Sequence, residues 1–192
     1  MNRTCLNTFA LFLLGILALA SCQQAAVDEK EDTPLYDYDI EERMSELGIV
    51  LHEQEMPPGL KISMAKQVGD LIYLSGNGPI GPGGKRIEGK VGSDLTVEEG
   101  YAAARLTAIN HLAILKREIG DLNRVVSIVK VLGMVNCLSD FTEQPSVING
   151  YTDLMLEVFG ERGSHARSAV GAGSLPWNLA CEVETIVQVK SE

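Results

Sequence analysis

Apolar and polar positions alternate most regularly near the end of the chain. From Cys181, the residues Cys181, Val183, Thr185, Val187 and Val189 interleave with Glu182, Glu184, Ile186 and Gln188. A period of two predicts a strand with one face on a core. Both carboxylates then share the opposite face, which is too charged to bury and too regular for a loop, so it should line a cleft or a subunit interface. A shorter strand is expected at His165–Val170, separated from the last one by a Leu175-Pro176 turn. Upstream, Lys61–Lys66 and Leu71–Ser75 read as two strands paired around the Val68-Gly69-Asp70 turn, and Gly76-Asn77-Gly78-Pro79 ends the second. Thr96 with Glu99 three residues on forms a capping box. The helix it opens runs through Leu106, Ile109, Ala113 and Leu115 to a stop at Gly120. Val125–Val135 is a Val- and Ile-rich strand. A second helix begins near Pro145 and buries Ile148, Tyr151, Met155 and Val158 before Gly160. Two strands, helix, strand, helix, two strands predicts an α+β domain, with a single sheet and both main helices on one of its faces. The uncovered face would be a large mixed patch for a monomer, so an oligomer is expected.

Ahead of this domain the pattern changes twice. Residues 1–21 read as a targeting segment: Arg3 supplies the positive end, and the apolar run from Phe9 to Ala20 is too short to span a membrane well. Leu19-Ala20-Ser21-Cys22 looks like a lipobox, which makes Cys22 the expected lipidation site and the envelope the expected location. An ordinary secretory signal is the alternative. Lipid chains contribute about 0.8 kcal/mol per buried methylene, so two or three of them would hold the protein on a membrane. Residues 22–39 are acidic and poor in large aliphatic residues, the composition of a tether that does not fold by itself. Of the net charge of −10, residues 1–46 carry 9 acidic and 3 basic side chains, which leaves 17 acidic and 13 basic in 47–192, so the folded domain, expected over 40–192, is only mildly acidic. No cluster of Lys and Arg offers a phosphate-binding surface, which argues against a nucleic-acid partner.

The candidate chemistry centres on Glu182 and Arg167. Arg167, on the short strand, is the cation best placed to accompany the carboxylate face, and its fork of donors matches a ligand carboxylate in two parallel hydrogen bonds. Delivered to a common site, an Arg and a Glu can bind a small acid and hold a water beside it. An ordinary strand-to-strand ion pair explains the same residues. With Cys5 in the targeting segment and Cys22 lipidated, only Cys137 and Cys181 could pair. Both fall on expected strands, where a free thiol packs as a small apolar group, although export permits a disulfide. No Cys-x-x-Cys and no His pair at ligand spacing is present, so no metal site is expected.

His165-Ala166-Arg167-Ser168-Ala169-Val170, Leu175-Pro176 and the Cys181-Glu182-Val183-Glu184 strand resemble the C-terminal signature of the reactive intermediate deaminase (Rid, YjgF-like) family, with Arg167 and Glu182 fifteen residues apart. The resemblance extends from about Ile40 to Val189. It is strongest to a longer bacterial subgroup that opens with a short helix like Ile40–Gly48 and carries Val158-Phe159-Gly160 before the Arg. The resemblance implies a chorismate-mutase-like fold and a homotrimer joined sheet to sheet, with sites in the clefts between subunits. It also implies hydrolysis of small imino or enamino acids to a 2-oxo acid and ammonia, without a cofactor. A non-catalytic binder of a small carboxylate metabolite is the alternative. On this reading Arg167 binds the substrate carboxylate and Glu182 activates water. Asn149 lies near the cleft, and Ser75 and Gly76 supply backbone donors. Glu184 and His165 are structural. Some relatives bear ribonuclease names, but nothing in this chain favours nucleic acid. Two positions depart from the best-studied branch: Ile62 stands where that branch has a cleft Tyr, and Ala169 where it commonly has a Cys.

Overall fold

The computed structural model describes residues 33–52 and 59–190. Asp39 caps a short helix, α1 (Ile40–Glu46), by accepting a hydrogen bond from the Glu42 amide at 2.9 Å. Two strands follow, β1 (Ala65–Val68) and β2 (Leu71–Asn77), then the long helix α2 (Val97–Ile119) and the strand β3 (Val125–Asn136). Helix α3 (Gln144–Phe159) and strands β4 (Ala166–Ala172) and β5 (Cys181–Val189) complete the domain. The capping box is formed: Glu99 N donates to Thr96 Oγ1 at 3.1 Å, and Thr96 N donates to Glu99 Oε2 at 2.8 Å. Pro145 sits in the first turn of α3, where its missing N–H costs nothing.

The five strands lie in the order β1-β2-β5-β3-β4, with β3 and β4 parallel and every other pair antiparallel. The alternation of β5 is realised: Cys181, Val183, Thr185, Val187 and Val189 are buried beneath the helices. Both long helices cover that inner face, as expected. Ala103, Ala104 and Ala108 of α2 are buried in the core, the small Gly100 and Gly150 let α2 and α3 approach closely, and Ile148, Tyr151, Leu154 and Met155 of α3 are buried in the same core. On the outer face Val68, Tyr73 and Val170 are exposed.

Two expectations shift. The first strand is expected over Lys61–Lys66, but ladder pairing begins only at Ala65 and runs to Val68; ahead of it, Met64 and Ser63 meet β2 through Ser75, where the pairing of β2 with β5 is interrupted by a bulge. The segment expected as a tether is packed where it is described. Tyr36 Oη donates to Val125 O at 2.5 Å, Tyr38 Oη donates to Val158 O at 3.1 Å, and the Arg162 guanidinium lies 5.6 Å from the Tyr36 ring centre. The folded unit accordingly starts at Thr33. Two tyrosines anchor a stretch whose acidic composition alone suggested a free arm. Cys137 and Cys181 are buried, unpaired thiols. The targeting segment and Cys22 lie outside the described residues.

Gly150 is the closest approach of the two helices, where an added Cβ would be driven into the Tyr101 carbonyl. Gly150→Ala should therefore cost about 1–3 kcal/mol, against a helix-propensity gain of under about 1 kcal/mol. Urea unfolding measures the difference, and an unchanged midpoint would contradict the packing described.

Candidate functional site

Glu182 owes its position to the register of two strands. Leu74 pairs with Thr185 and Asn77 with Val183, so Ser75 and Gly76 together oppose the single residue Glu184. The extra residue makes a bulge, which bends the strand and re-aims its neighbours. Ser75 N donates to Met64 O at 3.0 Å and Ser75 Oγ to Ser63 O at 2.6 Å, tying the bulge to the diverging segment before β1. The Glu182 carboxylate lies across Gly76 in space that any Cβ would occupy.

Between the diverging segment and the residues after the bulge is a cavity of about 340 Å³. Ile62, Met64, Ile80, Ile114, Leu179 and Trp177 wall it, and Glu182 is its carboxylate. Ile62 thus presents the apolar wall expected from the sequence. Burial raises the Glu182 pKa above the usual carboxylate value, and the neighbouring charge of Glu184 adds to the shift. A carboxylate held this way takes up a proton more readily than a solvated one, which suits acid–base work. Arg117 of α2 also lines the cavity, and it makes no hydrogen bond or ion pair with a described residue.

Arg167 is elsewhere. Its Cα is level with Val131, which is level with Thr185, and both of these point inward under the helices. Glu182 is level with Met134 and Val170 on the outer face, with β3 between the two strands. One chain therefore does not deliver Arg167 and Glu182 to a common site, contrary to the simplest sequence reading. The side-chain period was right, but it could not say which register the short strand adopts. Instead Arg167 Nη1 donates to Asn149 Oδ1 and to Thr152 Oγ1, each at 2.9 Å. Thr152 is held in turn by His165. The His165 Nδ1 is 2.7 Å from Gly163 O, which can only accept, so Nδ1 carries the proton and Nε2 accepts from the Thr152 hydroxyl at 3.1 Å. Burial, with Arg167 nearby, lowers the His165 pKa and keeps the ring neutral.

A second chain of hydrogen bonds crosses the core to the bulge. His111 Nε2 is 3.2 Å from Ser75 O and must donate to it, so Nδ1 accepts from Tyr151 Oη at 2.8 Å. Tyr151 Oη then accepts from Thr185 Oγ1 at 2.7 Å. Burial lowers the His111 pKa to about 4, consistent with a neutral ring throughout. Ser75 thereby contributes a carbonyl held from inside the core, and its amide is already bonded to Met64.

Residues 43–189 match the family described as "YjgF/chorismate_mutase-like, putative endoribonuclease". The chain belongs to the YjgF/chorismate-mutase-like family. Protein TCP17 of Trypanosoma cruzi is 40% identical over 149 residues, which cover 77% of this chain and 92% of that protein. Among solved structures, Atu1372 of Agrobacterium tumefaciens, of unknown function, is 39% identical with a TM-score of 0.71 over 79% of this chain and 94% of its own. A Shewanella oneidensis protein called a "putative endoribonuclease" is 34% identical with a TM-score of 0.75 over 79% of this chain and 100% of its own.

Within this YjgF-like domain, the sequence singles out Glu182, Ser75, Gly76, Arg167 and Asn149; the structure groups Glu182 with Gly76 and Arg167 with Asn149, and Ser75 is not the backbone donor expected, because its amide is bonded to Met64 O. The sequence does not single out Thr152, His111, Arg117 and Trp177. The first two are polar residues on helix faces that otherwise pack a core, so periodicity reads them as interruptions, and the last two reach the cavity only through the tertiary fold.

Because the folded-state pKa of Glu182 is raised, the native chain holds its proton to higher pH than the unfolded chain. Stability is lost as pH rises from about 4.5 through the folded value. Glu182→Gln should remove that loss, leaving the variant at least as stable as wild type at pH 7 and the two alike below pH 4. Urea unfolding at both pH values checks the sign.

Proposed function

We propose that this YjgF-like protein is a Rid-type deaminase that hydrolyses small reactive imino and enamino acids to 2-oxo acid and ammonia. The observation carrying the proposal is the Glu182 carboxylate, seated on Gly76 in an apolar cavity with a raised pKa. In the reaction, an enamine first tautomerises to the imine. Glu182 then takes a proton from water as the water oxygen bonds to C2 and the C=N π pair moves to nitrogen, and it passes that proton to nitrogen to give the carbinolamine. Glu182 next takes the hydroxyl proton and delivers it to the amino nitrogen as the C–N bond breaks, so that ammonia leaves with the C–N electron pair and the O–H pair forms the carbonyl of the 2-oxo acid.

The carboxylate grip is proposed for Arg167 of a second copy. The uncovered sheet face, with Val68, Tyr73 and Val170 exposed, supports association into a trimer through that face. The fixed Asn149–Arg167–Thr152 arrangement supports a guanidinium set in place for a ligand. A second reading rests on Arg117, which lines the Glu182 cavity in the same chain and has no described partner. Ribonuclease activity, present in the family's description, finds no support in a small apolar cavity on a mildly acidic domain.

An amino-acid-oxidase-coupled assay following imine loss, with calorimetry on 2-oxobutanoate, tests the roles. Glu182→Gln should retain ligand affinity while turnover falls roughly 10²-fold or more. Turnover absent from wild type, with binding intact, would establish a binder instead. Arg167→Ala should reduce affinity and turnover together, through loss of charge-assisted bonds of about 1.5–3 kcal/mol each. The same loss in Arg117→Ala, with Arg167→Ala silent, would move the grip into the single chain. Sedimentation should show a trimer at micromolar concentration, and a monomer would defeat the shared site. The envelope anchor is likewise proposed: Cys22→Ser should abolish lipid labelling, and unchanged membrane attachment would remove the lipobox reading.

A further inference from the structure

The turn after Leu175-Pro176 is strained and exposed. Trp177 and Asn178 have φ of 54° and 55°, and among the described residues they alone, apart from glycines, have positive φ. Asn tolerates this region through its short polar side chain, but for a bulky Trp it is an outlier, and such strain persists only where surrounding contacts impose it. Those contacts are present. Asn178 N donates to Leu175 O at 3.1 Å, Leu179 N donates to Pro176 O at 3.1 Å, and Gly89 N donates to Asn178 O at 2.8 Å. Asn136 Nδ2 donates to Asn178 Oδ1 at 2.9 Å. The Arg86 guanidinium lies over the indole, 5.2 Å from its centre, a cation–π contact that restrains the ring.

All of this holds an indole that does not pack on the core. Trp177 is 46% exposed, absent from the core cluster, and placed on the wall of the Glu182 cavity. An aromatic ring that large is normally buried for its area, so a strained turn that leaves it half in solvent beside a cavity has given up folding stability. Most of the remaining wall is apolar, with Ile62, Met64, Ile80, Ile114 and Leu179 set beside the polar Asn77, Arg117 and Glu182. A three-carbon acid bound at Glu182 would leave most of that surface wet, and each further methylene placed against it would gain about fourfold in affinity.

We propose that Trp177 roofs a subsite for an apolar side chain, so that the ligand class of this protein is 2-imino and 2-oxo acids with branched aliphatic or aromatic side chains rather than three-carbon acids. The proposal rests on the Glu182 cavity being the ligand site, and it narrows that reading from small acids in general to apolar ones.

Trp177 is the single tryptophan of the chain, so its fluorescence reports ligand entry directly. Titration of the purified full chain with 4-methyl-2-oxopentanoate should change the emission saturably. Its dissociation constant should be at least tenfold below that of pyruvate, against roughly fiftyfold for full burial of three extra carbons. Calorimetry on Trp177→Ala should find the preference reduced to under threefold, and Trp177→Phe should restore it. Both variants leave the fold intact, because the ring is not part of the core. Equal affinity for the two acids, no binding of the branched one at millimolar concentration, or an undiminished preference in Trp177→Ala would each overturn the proposal. Imine turnover with equal kcat/KM for three-carbon and branched substrates would remove the subsite while leaving the deaminase. Trp177-dependent binding of the branched acid without imine turnover would remove the deaminase while leaving the subsite.

Discussion

The site depends on a missing side chain. Glu182 can lie across β2 only because position 76 is glycine, and position 76 is presented to it only because the strand bulges there. Removing a carboxylate from water costs free energy unless hydrogen bonds or a counter-charge replace the solvent, and here the raised pKa of Glu182 shows that the replacement is incomplete. That deficit has to be met by the rest of the fold. The antiparallel pairing of β5 with both β2 and β3 meets it, by making β5 a central strand whose inner residues are all buried.

The bulge itself is held from within. Its Ser75 carbonyl accepts from a buried, neutral His111, whose other nitrogen is bonded to Tyr151 and through it to Thr185 of β5. A polar chain of this kind is costly unless every member is satisfied, and each member here has its partner. Arg167 is treated similarly on the far side of α3, where Asn149 and Thr152 receive one guanidinium nitrogen and His165 fixes Thr152. Both networks lie on the helix-covered face of the sheet, one buried behind the bulge and one partly exposed around Arg167.

Much of the fold was legible in the residues. Capping at Thr96 and Glu99, the Gly120 stop, Pro145 in a first turn and the alternation of β5 are local signals, and each depends on side-chain chemistry within a few positions. Misreadings occurred where a distant contact prevails over local pattern. Residues 61–64 alternate like a strand but lie outside the ladder, next to the bulge of β2, and residues 33–39 look like a free arm but are pinned by Tyr36 and Tyr38.

By itself, the sequence determined that Glu182 and Glu184 share a polar face and that Arg167 ends on a strand with its fork of donors available. Strand period and side-chain chemistry suffice for both. Only the tertiary structure decided that these two charges face opposite ways, because the face shown by β4 depends on its parallel register with β3, and no residue within β4 encodes that register. The cavity also belongs to the tertiary structure alone: Ile62, Ile114 and Trp177 are far apart in the chain, and they meet only because the segment before β1, helix α2 and a strained turn come together beside the bulge of β2.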